Sequence, residues 1–466
     1  MRSSDINHCR KQSMSMPATA ASTESALDTA AMLVERARKA GADAAEALVV
    51  EGTSLGVSWR LGKLEDVERS EGRDVGLRVF IGKKQASVSS TDLSEAALQP
   101  MIERAVAMAR VAPDDPWCGL ADPSRLARDW PDLEIEDKAP APGAEQLAAR
   151  AAQAEEAALA VEGVTNSSGA GASYGRSGVA LVTSSGFAGS YAGTSSSFSC
   201  SVLAGEGTAM ERDYEFSSKR YADALESPAE VGRRAGEKAV RRLNPRKVKS
   251  QAVPIVYDPR VSGGLAGHFA SAISGAAIAR GTSFLKKEMG KQVFAKGISI
   301  VDDPHMKRGL RSKPFDGEGV KNGRCTLIED GVLTTWLLDT ATARQLGLET
   351  TGHAARGTGG PPSPSATNLY MEAGCVSVKE LIADIKEGLY VTEMIGMGIN
   401  GVTGDYSRGA SGFWIENGEL AYPVSEITVA GNLRDMFLNM TPADDLEFRY
   451  GTNAPTIRVE GMTIAG

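Results

Sequence analysis

Hydrolysis at a bound zinc needs about three protein ligands, drawn mostly from His, carboxylate and Cys, and a carboxylate to activate the water. The chain holds four histidines, His8, His268, His305 and His353, and none stands in an HExxH or a longer HExxxH spacing. His305, in Asp302-Asp303-Pro304-His305, could be a metal ligand, although an exposed loop histidine is the plainer reading. His353 lies between Thr350 and Arg356 in a stretch continuing to Pro361-Pro362. That stretch reads as a surface loop, with a flexible lid as the alternative. No GxSxG nucleophile elbow occurs, and no Ser-His-Asp set stands out. The residues alone therefore assign no catalytic group and no metal ligand set.

Gly396-Met397-Gly398-Ile399-Asn400-Gly401 is a literal GxGxxG. Dinucleotide sites use this spacing so that a pyrophosphate can approach a helix N-terminus. Here Val402-Thr403-Gly404-Asp405-Tyr406-Ser407 follows, which does not begin a helix, and no βαβ pattern surrounds it. A Gly-rich strand or loop is expected instead. Gly290-Lys291 lacks both the upstream glycine and the following Ser or Thr of a Walker loop.

The elements that would carry these residues read as α+β, with mostly antiparallel sheets and interspersed helices. Residues 1–24 are expected to be a disordered tail, with Met14 and Met16 as alternative starts. A helix is predicted over Ala26–Ala40, then a strand pair carrying Val57, Trp59, Leu61 and Val75, Leu77, Val79, Ile81, with its turn at Ser70–Arg73. A second helix begins near Ser94 with the stripe Leu98, Met101, Ile102, Ala105, Met108. Pro113–Pro142 reads as a long surface connection, Glu145–Leu159 as a helix, and the Ser/Gly block Ser167–Gly207 as short strands. A helix over Pro228–Leu243 precedes a break at Asn244-Pro245. The expected organisation is thus two domains, 25–243 and a β-rich 250–466. In the second, a strand at Ala252–Tyr257 leads into a helix at Val261–Ala279. Helices are also expected at Asp339–Leu346 and Val378–Lys386. Hairpin turns are predicted at Asp330-Gly331 and Asn417-Gly418, since such pairs supply the positive φ that two-residue turns need. Strands at Leu446–Tyr450 and Thr456–Val459 close the chain.

A net charge of −8 argues against broad nucleic-acid binding. The one basic cluster, Arg233 to Lys249, reads as a solvated helix end whose cations complement the helix dipole, so nucleic acid is not an expected partner. Cys9, Cys118, Cys200, Cys325 and Cys375 are scattered and odd in number, which points to reduced thiols in a cytoplasmic protein. No apolar run reaches the roughly 18 residues of a membrane span, and no membrane partner is expected.

Five segments resemble the PmbA/TldE family: Gly76–Phe80, Gly264–Phe269, Gly401–Trp414, Pro423–Leu433 and Ile457–Gly466. The likeness spans Ala26 to Gly466. It implies a subunit that pairs with a related TldD-like subunit, which carries a zinc-binding HExxxH helix and a C-terminal cysteine ligand. The pair acts as a peptidase on unfolded or small peptides. The resemblance also implies that the first His, the Glu and the second His of that helix correspond to Gly263, Gly264 and His268, and the cysteine to the neighbourhood of Asn453. On that mapping this chain keeps one ligand of three and no base, so it needs no cofactor, and zinc belongs to the partner. The family implies a C-terminal peptide groove built by Asp405, Tyr406, Arg408 and Trp414, with Arg408 suited to a peptide carboxylate. The plainer reading of that segment is a hairpin with one surface Arg. A regulatory protein acting on DNA gyrase, or an independent hydrolase with an unrecognised site, are the alternatives.

Overall fold

The computed structural model describes residues 19–466, with side chains from Ser25 onward. His8, Cys9 and most of the expected tail lie outside the described residues. The first described element is helix α1 (Thr19–Lys39).

Six long strands form the N-terminal sheet: β1 (Ala44–Arg60), β2 (Lys63–Ile81), β3 (Lys84–Ser90), β4 (Val164–Thr183), β5 (Ala188–Ala204) and β6 (Glu211–Lys219). They run antiparallel in the order β3-β2-β1-β4-β5-β6. Helices α1, α2 (Glu95–Val111), α3 (Ala144–Leu159) and α4 (Pro228–Arg241) cover one face, burying Leu33, Ile102, Leu147 and Val231 against it. Alternation along each strand puts Leu48 and Leu181 on the other face, against Phe187 and Phe315.

Three expectations fail here for local reasons. The β1–β2 turn is at Leu61-Gly62, whose φ values of 47° and 74° suit a tight hairpin, whereas Gly72 sits mid-strand opposite Gly52. The Ser/Gly block forms two of the longest strands, not several short ones. Met108 is 44% exposed, and Ala109 takes its place in the α2 stripe.

The C-terminal part begins with β7 (Gln251–Tyr257), α5 (Pro259–Ala272) and α6 (Gly275–Ala279). One helix was expected across both. It breaks at Ile273-Ser274, where the Gly275 amide donates instead to the Leu337 carbonyl at 2.8 Å. Short elements follow: β8 (Ile300–Asp302), β9 (Cys325–Glu329), β10 (Val332–Leu333), α7 (Thr340–Leu346), β11 (Ala354–Ala355), β12 (Ser363–Pro364), β13 (Leu369–Met371) and α8 (Val378–Ile382). The chain ends through β14 (Glu387–Ile395), β15 (Asp405–Glu416), β16 (Glu419–Asn432), α9 (Leu433–Leu438), β17 (Met440–Pro442), β18 (Thr452–Asn453) and β19 (Ile457–Ala465). Residues 446–450 are therefore not a strand.

Strands β16-β15-β14-β7-β19 lie side by side, and β19 also pairs with β16, which closes them into a small barrel. A second sheet, β10-β9-β8-β13-β18, shares its core, which includes Phe269, Phe294, Trp414 and Phe437. The fold is mixed α+β with mostly antiparallel pairing. Among the described residues no helix is long and apolar enough to cross a membrane. The basic end of α4 is largely neutralised: Arg233 pairs with Glu230 and Glu237, Lys238 with Glu215, and Arg242 with Glu393.

The two parts meet through buried charge. Glu46 of β1 faces Arg78 across the β1–β2 ladder at 2.6 Å, and Arg356 from the C-terminal part joins the same carboxylate. All three side chains are nearly inaccessible. Burial alone would raise the Glu46 carboxyl, yet the two cations hold it below its ordinary value. The loop expected at the surface, with a lid as the alternative, is thus anchored: Thr358 packs on Gly76 so closely that a Cβ there would clash. The Pro113–Pro142 connection is likewise not a free surface segment. Leu126 bridges to Val320, and Trp130 meets Phe315 edge-on at 4.9 Å. Replacing Glu46 with Ala would leave two buried guanidiniums facing one another. Urea denaturation should show a loss of about 3–5 kcal/mol.

Candidate functional site

Helix α5 is the element to follow, because it carries Gly263, Gly264 and His268. Asp258 caps it, accepting from the Arg260 amide at 2.9 Å and from the Tyr390 hydroxyl at 2.9 Å. Pro259 then occupies the first turn, where its missing N–H costs nothing. Arg260 ties this end to the N-terminal sheet by its ion pair with Asp213 at 2.7 Å and its seat on the Tyr214 ring.

The two glycines differ. A Cβ at Gly263 would stand 2.8 Å from the Thr452 carbonyl oxygen and 4.0 Å from the Asn453 Cα, whereas nothing lies within 4 Å of one at Gly264. Position 263 is thus closed by backbone, and position 264 opens to solvent. Asn453 is buried, and its amide is fully engaged by its own turn. Its oxygen accepts from the Arg449 and Tyr450 amides at 3.0 and 2.8 Å, and its nitrogen donates to the Tyr450 carbonyl at 2.8 Å.

His268 lies about one turn beyond Gly264, on the same face of the helix. Its ring meets that of Tyr406 edge-on, with centroids 6.0 Å apart. Burial first, and the Arg408 charge second, push its pKa down to about 4, so the imidazole is neutral at pH 7. Its Nε2 is buried without a hydrogen-bond partner among the described residues, and so is Arg408 Nε. Tyr257, at the end of β7, donates its hydroxyl to Met462 Sδ at 3.4 Å, and burial raises both its phenol and that of Tyr406.

Of the expected groove residues, the structure gathers Tyr406 and Arg408 around His268 and leaves the other two apart. Asp405 is exposed and closes its own turn, accepting from Thr403 Oγ1 at 2.6 Å and Asn432 Nδ2 at 3.1 Å. Trp414 is 2% exposed, deeper on the same inward face of β15, so it belongs to the core and lines no groove. Arg408 is half-buried, not a surface arginine. Tyr257 was missed by sequence reasoning, and its position just before the Asp258-Pro259 helix start was the available signal. The GxGxxG segment is the loop joining β14 to β15, as expected.

The other histidines move inward. His305 is half-buried and bonds Asn322 Oδ1 through Nε2 at 2.8 Å, which corrects its reading as an exposed loop residue. His353 is 3% exposed, with Nε2 3.3 Å from Asp302 and Nδ1 2.8 Å from Thr351 Oγ1, so it is neither surface loop nor lid. Among the described residues no three His, Cys, Asp or Glu side chains come together as a metal site would require.

A barrel with a helix across its edge, joined to a helix-covered sheet, is the architecture of metallopeptidase-related proteins found by comparison. Residues 45–109, 132–243 and 250–466 match, in turn, domain 1, the central domain and the C-terminal domain of the PmbA/TldA metallopeptidases. The chain is similar to the metalloprotease PmbA homolog of Haemophilus influenzae, 41% identical over 93% of this chain and 94% of that protein. It is 39% identical to metalloprotease PmbA of Escherichia coli O157:H7, over 91% and 92% of the two chains. A solved structure from Bacteroides thetaiotaomicron, named as a modulator of DNA gyrase, superposes with a TM-score of 0.86 at 28% identity, covering 94% of this chain and 98% of the other. TldE from Thermococcus kodakarensis shares the fold, with a TM-score of 0.82 at 21% identity, covering 94% of this chain and all of that one. The chain belongs to the PmbA/TldD family.

The two glycines should respond oppositely to alanine. Gly263→Ala forces the helix off Thr452 and should cost about 1–3 kcal/mol. Gly264→Ala should stabilise by about 0.5–1 kcal/mol, as for a glycine in an open helix interior. Denaturation midpoints of the two variants check this. His268 binds protons less readily folded than unfolded, so stability should fall as pH drops from about 6.5 towards about 4. His268→Gln should flatten that part of the stability–pH curve.

Proposed function

We propose that this chain is the subunit without a catalytic metal in a two-subunit, cytoplasmic metallopeptidase that acts on unfolded or small peptides. The observation that carries the reading is the closure of position 263. Where the family's helix carries its first histidine, the Thr452 carbonyl leaves no room for a Cβ. Asn453, at the cysteine position, spends its amide on its own turn. His268 alone would hold zinc weakly, and no carboxylate side chain stands at Gly264 to activate water. Zinc is then the property of the partner, a TldD-like subunit bearing HExxxH. Since that partner shares the fold, a pseudo-symmetric pair is the natural assembly.

The test is reconstitution. The purified chain, dialysed and analysed for metal, should carry well under one zinc, and alone it should leave an unstructured peptide intact. Mixed with an HExxxH-bearing homologue, it should support cleavage that a chelator abolishes. His268→Ala should lower the activity of the mixture only modestly. Chelator-resistant hydrolysis by the chain alone, persisting through repeated purification, would overturn the reading.

A further inference from the structure

The face of α5 that carries His268 is almost bare. Gly264, Gly267, His268 and Ser271 share an arc of about 100° around the helix, and no atom lies within 4 Å of a Cβ built at Gly264 or Gly267. Across from it, β15 turns Tyr406, Arg408 and Ala410 inward. Arg408 interrupts an otherwise apolar face with a permanent charge, and it makes no ion pair among the described residues. Its charge lies close enough to the Tyr406 hydroxyl to act on it. Arg408 Nε and His268 Nε2 both lack a partner. A half-buried cation without a counter-ion, beside an unpartnered ring nitrogen, is complementary to one monoanionic group with two acceptor oxygens. The neighbouring stripe without side chains lets an extended backbone lie against the helix.

We propose that Arg408 and His268 form a carboxylate-binding subsite for peptides, whose backbone lies along Gly264 and Gly267. The ligand class rests on the peptide reading above, while the preference for a carboxylate rests on these side chains alone. One fixed charge selects one carboxylate. Arg408 supplies the attraction.

The test uses the isolated chain, so it does not depend on a partner or on catalysis. Binding is measured by calorimetry with an N-acetylated Ser/Ala pentapeptide as the free acid, as its C-terminal amide, and as an amide with one internal Asp. The acid should bind about 10–100-fold more tightly than the plain amide, the range of a charge-assisted hydrogen bond. If the Asp amide matches the acid, the subsite takes side-chain carboxylates. If it matches the plain amide, the subsite takes the chain terminus. Either result supports the proposal. Arg408→Gln should bring the acid-to-amide ratio to about one, and Arg408→Lys should restore part of it. Gly264→Val, at a position with free space, should keep the fold and weaken all three peptides. Equal affinities of acid and amide for the unmodified chain, or no binding of any peptide to it, would overturn the proposal. Failure of the two-subunit reading would appear only in the mixed peptidase assay.

Discussion

Where α5 crosses the 452–454 segment, backbone meets backbone, and the rest of the structure is arranged around that contact. A Cβ at position 263 would enter the space of the Thr452 carbonyl, so the approach requires glycine. Ser262, one residue earlier, is buried and donates its hydroxyl to the Ala454 carbonyl at 3.1 Å. Both partners of this contact also reach the N-terminal sheet. Arg260 of α5 pairs with Asp213, and Arg449, just before β18, pairs with Glu215 at 2.8 Å. Widening the helix–strand gap would pull two arginines from two carboxylates on one strand. The same close packing therefore closes position 263 of α5 and sets the docking of the two parts.

Buried charge governs that docking. Ion pairs removed from water add little net stability, since desolvation offsets most of the attraction, but a misplaced partner is costly. Glu46 between Arg78 and Arg356, and Asp213 and Glu215 of β6 with their arginines, accordingly act as positional locks. The apolar contacts of Trp130, Phe187 and Phe315 supply area, yet such contacts tolerate small slides that charge pairs do not. This division of labour explains how Arg356 comes to be buried in a loop whose composition reads as solvent-exposed.

What the sequence made legible was local. Asp330-Gly331 and Asn417-Gly418 form the hairpins their residues demand, with positive φ at both positions of each. Asp339 caps α7 by accepting from the Thr342 amide, and the polar face of α4 predicted its exposed side. What failed depended on distant partners. His353 reads as a loop residue until Asp302 is brought to it by the fold, and Ile273-Ser274 reads as helix until Leu337 offers a carbonyl. The turn at Leu61-Gly62 lost to Gly72 in the reading because strands of 17 and 19 residues exceed the usual length. Only the packing shows that position 263 is shut while 264 is open, and that Arg408 faces inward.

That inward cation sets the chemistry of the cluster around His268. A zinc ion polarises its bound water and lowers that water's pKa, and it needs its ligands in their deprotonated forms. A guanidinium stays charged at every accessible pH and offers directed donors, so it orients an anion without activating a nucleophile. Here the neighbouring imidazole is kept neutral by burial and by Arg408 itself, and the phenols are kept protonated by burial. No group in the cluster is poised to take a proton from water near pH 7. The geometry on α5 and β15 therefore sets a fixed cation beside a neutral imidazole and two protonated phenols.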